Sequence, residues 1–130
     1  MAFAKEFTTE KIRNVAVLGH GGSGKTALID GLCFTAGTSK RHEDPALGQA
    51  LTMYTPEEAA HKISIQVTPA YAEHLDHKIN FLDTPGYLDF TGEALAATRV
   101  ADAAVIVVGA TDGVEVGTER VWEDCEARGL

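Results

Sequence analysis

The chain has 130 residues, of which 45% are hydrophobic, and carries a formal net charge of −8 at pH 7. This length and composition suit one ordinary globular domain. The acidic balance argues against a nucleic-acid-binding surface of its own, because phosphate backbones favour clustered Lys and Arg.

The two cysteines, Cys33 and Cys125, are far apart in the sequence and lack the spacing of a metal or redox motif. We expect free thiols in a reducing compartment. No apolar run has the length of a signal sequence or a membrane span. The sequence therefore predicts a cytoplasmic protein with no membrane partner.

The first predicted elements are a strand and a helix. Residues 1–13 are mixed and polar and predict a short lead-in with fraying ends. Residues 15–18 are apolar throughout, which is typical of a parallel strand buried on both faces. Residues 25–36 predict a helix that ends at Gly37. The apolar face of this helix is predicted to consist of Leu28, Ile29, Leu32 and Ala36.

The segment between this strand and this helix reads G-x-x-x-x-G-K-T, the pattern of a phosphate-binding loop. Its glycines let successive N–H groups converge on one anion, and the helix N-terminus adds further donors. Lys25 is predicted to reach the terminal phosphates, and the Thr26 hydroxyl to ligate Mg²⁺. The strand-to-helix context makes an incidental glycine-rich turn the weaker interpretation. The predicted nucleotide phosphate site consists of Gly19, His20, Gly21, Gly22, Ser23, Gly24, Lys25 and Thr26.

Residues 38–62 show no sustained periodicity, and such a long segment without clear structure is usually functional or disordered. Its position downstream of the loop favours a mobile lid that senses the nucleotide over an inert insertion. Residues 63–67 alternate with period two and predict a half-buried strand. Because Pro69 cannot donate to a ladder, we place this strand at a sheet edge.

Residues 71–75 and 78–82 predict a hairpin that leads into the motif D-T-P-G at residues 83–86. This motif follows a strand, where open α/β sheets have their ligand crevice. We predict that Asp83 holds Mg²⁺, directly or through water. The Gly86 N–H is predicted to meet the γ-phosphate, where a side chain would collide.

Two helices and one strand follow. Residues 89–100 predict a helix, and the continuous apolar run of residues 103–108 predicts a central buried strand. Residues 119–128 predict a last helix that ends at Gly129. The predicted apolar positions of the two helices are Phe90, Ala94, Ala97 and Val100 in one and Val121, Trp122 and Cys125 in the other.

The motifs together resemble the first half of a translational GTPase, and most closely elongation factor G and its paralogues. The resemblance covers nearly everything from Lys11 onward. It rests most specifically on the string D-T-P-G-Y-L-D-F, at residues 83–90, and on D-G-V-E-V-G-T-E, at residues 112–119. It implies an α/β P-loop fold, with a mostly parallel sheet and helices on both faces, truncated after about four strands. It also implies that residues 38–62 are the first switch region and residues 83–91 the second.

The resemblance further implies the ligands and the roles of the site residues. The ligands are GTP or GDP with Mg²⁺, and the partner is the ribosome, reached through the full-length protein. The loop amides and Lys25 would hold the phosphates. Metal ligation would involve Thr26, Asp83 and Ser64, the last standing where elongation factors have Thr. The residues implied in catalysis are Lys25, Gly86 and Tyr87.

The chain departs from the family pattern at several positions. Tyr87 follows D-T-P-G where the family usually has a His that positions the attacking water. Gly22 stands where Asp is usual, and His61-Lys62 where Arg-Gly is usual. By analogy, these departures indicate a paralogue with slow or altered hydrolysis.

The guanine-recognition motif N-K-x-D does not occur in the 130 residues. We therefore expect a fragment of a longer protein, weak nucleotide binding, and an uncovered sheet edge at residues 103–108. For the intact protein we predict a GTPase acting on the ribosome. The alternative is a nucleotide-sensing regulatory switch with little hydrolysis, and an ATPase is a weaker third possibility. Whether the chain alone is an enzyme stays open.

Overall fold

A four-stranded sheet forms the centre of the fold in the computed structural model, which describes residues 6–130. The strands are β1 (Ile12–Leu18), β2 (Thr68–His74), β3 (His77–Asp83) and β4 (Ala103–Ile106). They lie in the order β2-β3-β1-β4, with β1 parallel to both of its neighbours and β2 antiparallel to β3. The predicted mostly parallel sheet is therefore confirmed.

Helices cover both faces of this sheet. The helices are α1 (Lys25–Thr35), α2 (Pro56–His61), α3 (Thr91–Thr98) and α4 (Val116–Arg128). One core cluster joins α1 to the sheet through Val17, Ile29 and Phe81. The second joins α3 and α4 to the opposite face through side chains that include Ala16 and Leu18. Successive residues of β1 thus face opposite helix layers, as the two-fold periodicity of a strand requires.

The predicted lead-in and first strand are partly corrected. Residues 1–5 lie outside the described part of the chain. A 3₁₀ turn at Thr9–Lys11 is followed directly by β1, which begins at Ile12 and so starts within the predicted lead-in. The prediction that residues 15–18 are buried on both faces holds closely, because Ala16, Val17 and Leu18 are at most 1% exposed.

The prediction of a strand at residues 63–67 is wrong. The N–H groups of residues 65–67 donate to the carboxylates of Glu58 and Glu93, not to a neighbouring strand. The edge strand is β2, which begins just after this segment and carries Pro69 where no ladder hydrogen bond is lost. The hairpin of β2 and β3 is confirmed, and its turn residues are Leu75 and Asp76, at φ 45° and 61°.

Residues 38–62 contain more regular structure than their sequence pattern suggests. A 3₁₀ turn at Pro45–Leu47 begins at Asp44, whose carboxylate accepts from the Ala46 N–H. Further on, α2 starts at a capping box formed by Thr55 and Glu58. Side chains that accept hydrogen bonds from free N–H groups therefore stabilise the helical turns of this segment. The hydrophobic periodicity of the sequence does not predict these turns.

Three helix predictions need correction. In α1 the buried apolar side chains are Ile29 and Cys33, whereas Leu28 and Leu32 are 39% and 40% exposed. The helix predicted at residues 89–100 is divided into a 3₁₀ turn at Leu88–Phe90 and α3, which leaves Val100 60% exposed. The last helix begins earlier than predicted. It starts at Val116 because Glu115 and Thr118 form a capping box, and Trp122 is 57% exposed.

The composition of residues 103–108 predicts a central strand, but the strand lies at an edge of this sheet, which confirms the expected uncovered sheet edge. Only Ala103–Ile106 is a strand, paired with β1 on one side. Its burial alternates, and Val105 is 41% exposed. Among the described residues, no helix is both long and apolar enough to cross a bilayer.

We predict that Ile29→Ala lowers the free energy of unfolding by roughly 2 to 5 kcal/mol, because Ile29 is fully buried between α1 and the sheet. The matched control is Leu32→Ala in the same helix, which should cost less than about 1 kcal/mol since Leu32 is 40% exposed. Urea denaturation measures both. Equal losses would contradict the assignment of the buried face of α1.

A second prediction concerns Asp124, which links α4 to α3. Its carboxylate accepts from Thr98 Oγ1 at 2.8 Å and from Arg128 Nε at 3.0 and 2.9 Å. Burial alone would raise the pKa of Asp124, but these hydrogen bonds, with the charges of Arg128 and Arg99, hold the pKa below its usual value. The native state thus binds protons less readily than the unfolded state.

Because the pKa of Asp124 is lower in the folded state, this group stabilises the fold at pH values above its pKa in the unfolded state. The stabilisation is lost as the pH falls through its pKa in the folded state. We expect Asp124→Asn to cost about 1 kcal/mol at pH 7. The difference from the unsubstituted chain should shrink below about pH 4. Thermal denaturation against pH tests this, with the exposed Glu123→Gln as control. A difference that does not change with pH would contradict the electrostatic explanation.

Candidate functional site

The loop of residues 19–24 joins the carboxyl end of β1 to the first turn of α1, as the sequence predicts. Gly24 immediately precedes the helix at φ 99°, a left-handed conformation that side chains rarely adopt. The loop and the unpaired N–H groups of the first helical turn therefore meet at one place, which is the geometry of an anion site.

Lys25 is the cation of this loop, and its side chain is only 5% exposed. Its Nζ donates to the carbonyl oxygens of Gly19 at 3.0 Å and of His20 at 2.8 Å. Burial lowers the pKa of Lys25 to about 8, although the charge of Asp83 opposes this change. The ammonium is thus held in a fixed position at the mouth of the loop.

Three side-chain oxygens from distant parts of the sequence meet beside Lys25. Thr26 Oγ1 donates to Asp83 Oδ2 at 2.8 Å and lies 3.3 Å from Ser64 Oγ. Asp83 is fully buried, and its Oδ1 has no hydrogen-bond partner among residues 6–130. The structure therefore brings together the three predicted metal ligands.

The chemistry of these donors fits Mg²⁺, which prefers hard oxygen ligands. A buried carboxylate oxygen without a partner is the group that a bound cation would satisfy. Burial raises the pKa of Asp83, while hydrogen bonds from Thr52 and Thr26 and the charge of Lys25 oppose the rise. No group of three or more His, Cys, Asp or Glu side chains that could hold a metal occurs among residues 6–130, so this site offers one carboxylate and two hydroxyls.

Thr52 is a site residue that the sequence analysis missed. Its side chain is 3% exposed, and its Oγ1 donates to Asp83 Oδ2 at 2.5 Å. This bond ties the segment of residues 38–62 to the end of β3. A lone threonine in an unpatterned segment gives no local signal, so the contact could not be identified from the sequence.

Gly86 lies against the phosphate loop. A Cβ at this position would collide with Lys25 Nζ and would lie 2.6 Å from the backbone N of Gly21. Only glycine fits such a close approach of two backbones. The D-T-P-G segment and the glycine-rich loop therefore form the two walls of one cleft.

Tyr87 lies over the loop next to Gly86, with 45% of its side chain exposed. Three of its ring atoms lie 3.0 to 3.2 Å from the position that a Cβ on Gly21 would take. The aromatic ring thus occupies the space that the missing side chain of Gly21 leaves. This contact links a residue of the loop to the position where the chain departs from the family pattern.

His20 connects the loop to α4. Its Nε2 lies 3.5 Å from Glu115 Oε1, and a Cβ on Gly117 would lie 2.7 Å from its Nδ1. The ring therefore packs against the first turn of α4. Its Nδ1 is buried without a hydrogen-bond partner among the described residues.

The two walls enclose a cavity of about 300 Å³. The segment of residues 38–62 contributes to its lining through side chains that include Pro45, Met53 and Lys62. The predicted site residues that line it are Gly21, Gly22, Gly24, Lys25, Thr26, Ser64, Gly86 and Tyr87. Four predicted site residues are not part of the cavity lining: Gly19, His20, Ser23 and Asp83.

Comparison with known proteins agrees with this arrangement. Residues 10–130 match the family model described as the elongation factor Tu GTP binding domain. The mitochondrial ribosome-releasing factor 2 of Candida albicans is 38% identical over 120 residues, which are 92% of this chain and 15% of that protein. Elongation factor G 2 of Borreliella afzelii is 33% identical over 115 residues, which are 88% of this chain and 17% of that protein.

Solved structures show the same fold. A crystal structure of a Thermus thermophilus protein is 42% identical with a TM-score of 0.88, covering 92% of this chain and 18% of that one. A bacterial selenocysteine-specific elongation factor, EF-Sec, is similar in fold alone, at 24% identity and a TM-score of 0.74, over 92% of this chain and 18% of that one. This chain therefore spans less than a fifth of the length of these relatives. Since the family model covers nearly all of it, the chain belongs to the elongation factor Tu GTP-binding domain family.

Proposed function

We propose that this chain binds GTP and GDP together with Mg²⁺, and that the protein to which it belongs hydrolyses GTP on the ribosome. The single observation that carries the proposal is the convergence of Thr26, Ser64 and Asp83 beside the Lys25 ammonium, at the base of a glycine-rich cradle. Cationic, metal-binding and N–H groups at one cleft are what a nucleoside triphosphate requires.

The proposed reaction is transfer of the γ-phosphoryl group to water. The water oxygen bonds to phosphorus, and the bond to the bridging oxygen breaks with its electron pair going to GDP. The protons of the water pass to oxygens of the released inorganic phosphate. The charge that spreads over the γ-phosphate is stabilised by Lys25, by the loop amides and by the Gly86 N–H. Mg²⁺, when bound, supplies further neutralisation of the phosphate charge. Tyr87, beside Gly86, is the residue proposed to orient the water.

We further propose that residues 38–62 and 83–91 are the two switch regions. The Thr52–Asp83 hydrogen bond supports this, since it joins the two segments directly. Residues of the first segment also line the cavity next to Gly86 and Tyr87. A ligand that fills the cavity would contact both segments and thereby bias their arrangement.

The names of the relatives support the ribosome as the partner of the full-length protein. The acidic composition of this chain supports a contact made mainly by other parts of that protein. The cytoplasm remains the proposed compartment, supported by two free, buried cysteines.

A nucleotide-sensing switch with little hydrolysis is the second candidate. The observation that favours it concerns Tyr87, which stands where the family usually has a His. The ring of Tyr87 packs over Gly21 of the phosphate loop. A phenol lacks the unprotonated ring nitrogen with which a neutral imidazole accepts a proton, which makes it the poorer proton acceptor. The second candidate shares the binding site with the first and differs only in turnover.

Calorimetric titration with GDP, GTP, ADP and ATP in Mg²⁺ tests the binding proposal. We expect weak binding by this chain, because it lacks the guanine-recognition motif, and Lys25→Ala should weaken it at least tenfold further, because it removes a buried charged donor. The matched control is Lys78→Ala, which removes a cation at the start of β3, outside the cavity lining, and should leave affinity unchanged. Nanomolar affinity of this chain for GDP would contradict the expected weak binding. Unchanged binding by Lys25→Ala would contradict the proposed site.

Substitution of Tyr87 separates the two candidates. If position 87 limits catalysis, Tyr87→His in the full-length protein should raise ribosome-stimulated GTP turnover about tenfold or more, because imidazole is a better proton acceptor. The control is Tyr71→His, since Tyr71 is also 45% exposed but lies on β2. Phosphate release at saturating GTP measures both. Equal turnover in the two variants would remove position 87 as the cause of slow hydrolysis.

A further inference from the structure

Glu58 is a fully buried carboxylate that the site described above does not use. It lies in α2, and its two oxygens accept hydrogen bonds from residues on both sides of that helix. No Lys, Arg or His among residues 6–130 forms an ion pair with it. A buried charge held by N–H and hydroxyl donors alone is expensive to maintain, which suggests that its contacts serve a purpose.

The contacts of Glu58 bracket Ser64 in the sequence. On one side, the Glu58 carbonyl oxygen accepts from the N–H of Ile63 at 3.3 Å. On the other side, Glu58 Oε1 accepts from the N–H of Ile65 at 3.0 Å and of Gln66 at 3.5 Å. One residue thus holds the backbone immediately before and immediately after Ser64.

The second carboxylate oxygen fixes the orientation of the first. Glu58 Oε2 accepts from Thr55 Oγ1 at 2.9 Å and from the Thr55 N–H at 3.4 Å. In return, Thr55 Oγ1 accepts from the Glu58 N–H at 3.2 Å. These bonds alone would make an ordinary helix cap. The bonds of Oε1 to residues beyond the helix are additional and reach toward the metal-ligand position.

We infer that Glu58 is a positioning residue, which holds the loop around Ser64 so that the Ser64 hydroxyl stays beside Thr26 and can ligate Mg²⁺. The inference rests on the proposed function, because it assumes that these hydroxyls bind the metal. The 3.3 Å separation of the two hydroxyl oxygens is the feature that Glu58 maintains. Partners that orient a metal ligand from behind typically contribute roughly 10- to 100-fold to metal affinity.

The charge of Glu58 also acts at this site. Burial is the main cause of the raised pKa of Asp83, and the negative charge of Glu58 adds to it. The two carboxylates are therefore within electrostatic reach of each other.

The test uses Glu58→Gln with Glu57→Gln as the matched control. Both remove one negative charge from α2, but Glu57 is exposed. The amide introduced by Glu58→Gln keeps the size of the side chain, but its single accepting oxygen is neutral, so the contacts to Ile65 and to Thr55 cannot both keep their strength. The full chain is titrated with Mg²⁺ in the presence of a non-hydrolysable GTP analogue, and analogue binding is also measured in EDTA.

We expect the Mg²⁺ concentration for half-maximal binding to rise about tenfold in Glu58→Gln and to stay unchanged in Glu57→Gln. Binding in EDTA should be equal in both variants, because Lys25 and the loop amides remain. A purely structural role would weaken binding with and without Mg²⁺ alike, and that result would overturn the inference. An unchanged Mg²⁺ requirement would overturn it as well.

A double-mutant cycle with Ser64→Ala shows whether Glu58 acts through Ser64. In the Ser64→Ala background, Glu58→Gln should raise the Mg²⁺ requirement much less than it does alone. Additive effects of the two substitutions would contradict the proposed route. If Glu58→Gln does not fold, Thr55→Val replaces it, because that variant removes one donor to Oε2 and keeps the charge of Glu58.

Amide hydrogen exchange in the absence of nucleotide separates failure of this inference from failure of the proposed function. The N–H of Ile65 should exchange at least about tenfold faster in Glu58→Gln than in Glu57→Gln, since a neutral amide oxygen replaces its charged acceptor. Equal exchange rates would overturn the inference even if nucleotide binds. If the unsubstituted chain binds no nucleotide, the proposed function fails, and the exchange of Ile65 alone decides whether Glu58 holds this loop.

Discussion

The Asp83 carboxylate is the point on which the arrangement of the site depends. It ends β3, receives a hydrogen bond from Thr26 at the start of α1, and receives another from Thr52 in the segment of residues 38–62. Three parts of the chain that are distant in sequence therefore meet at one buried side chain. Because a buried carboxylate is costly unless it is satisfied, the protein must hold these donors in place or provide a cation in their stead.

The chain that continues from Asp83 forms one of the two walls of the cleft. The glycine-rich loop forms one wall and presents N–H groups, while the D-T-P-G segment continues directly from Asp83 and forms the other. The backbone of Gly86 comes so close to the loop that no side chain fits between them. The absence of a Cβ at Gly86 thus allows the two walls to come this close together.

The parts of the structure that were predictable from the sequence are those with a local cause. The buried strand, the phosphate loop and the hairpin follow from apolar runs, glycine spacing and turn residues. Residues 63–67 alternate like a strand but are held by the carboxylates of Glu58 and Glu93, a contact that periodicity does not reveal. In α1 the apolar residues occupy both possible faces, and only the packing against the sheet selects Ile29 and Cys33.

The residues of the site likewise include some that a local motif predicts and some that it does not. The loop residues and Asp83 were predictable because a motif specifies them, and the meeting of Thr26, Ser64 and Asp83 followed from the resemblance to translational GTPases. The bond from Thr52 to Asp83 was not predictable, because it joins residues 31 positions apart through one hydroxyl in an unpatterned segment. Long-range contacts of single polar side chains depend on the completed fold, and no window of the sequence contains them.

The central position of β1 restricts what its residues can be. Val17 packs on the side of α1, and Ala16 and Leu18 pack on the side of α3 and α4, so no position in this part of the strand is free to face water. In a strand with one solvated face, every second residue can be substituted at little cost. In β1, a change in side-chain volume at any of these positions disturbs the packing against one helix layer or the other. The strand that leads into the phosphate loop therefore tolerates little change in side-chain size, and the loop begins at a part of the domain that is packed on both faces.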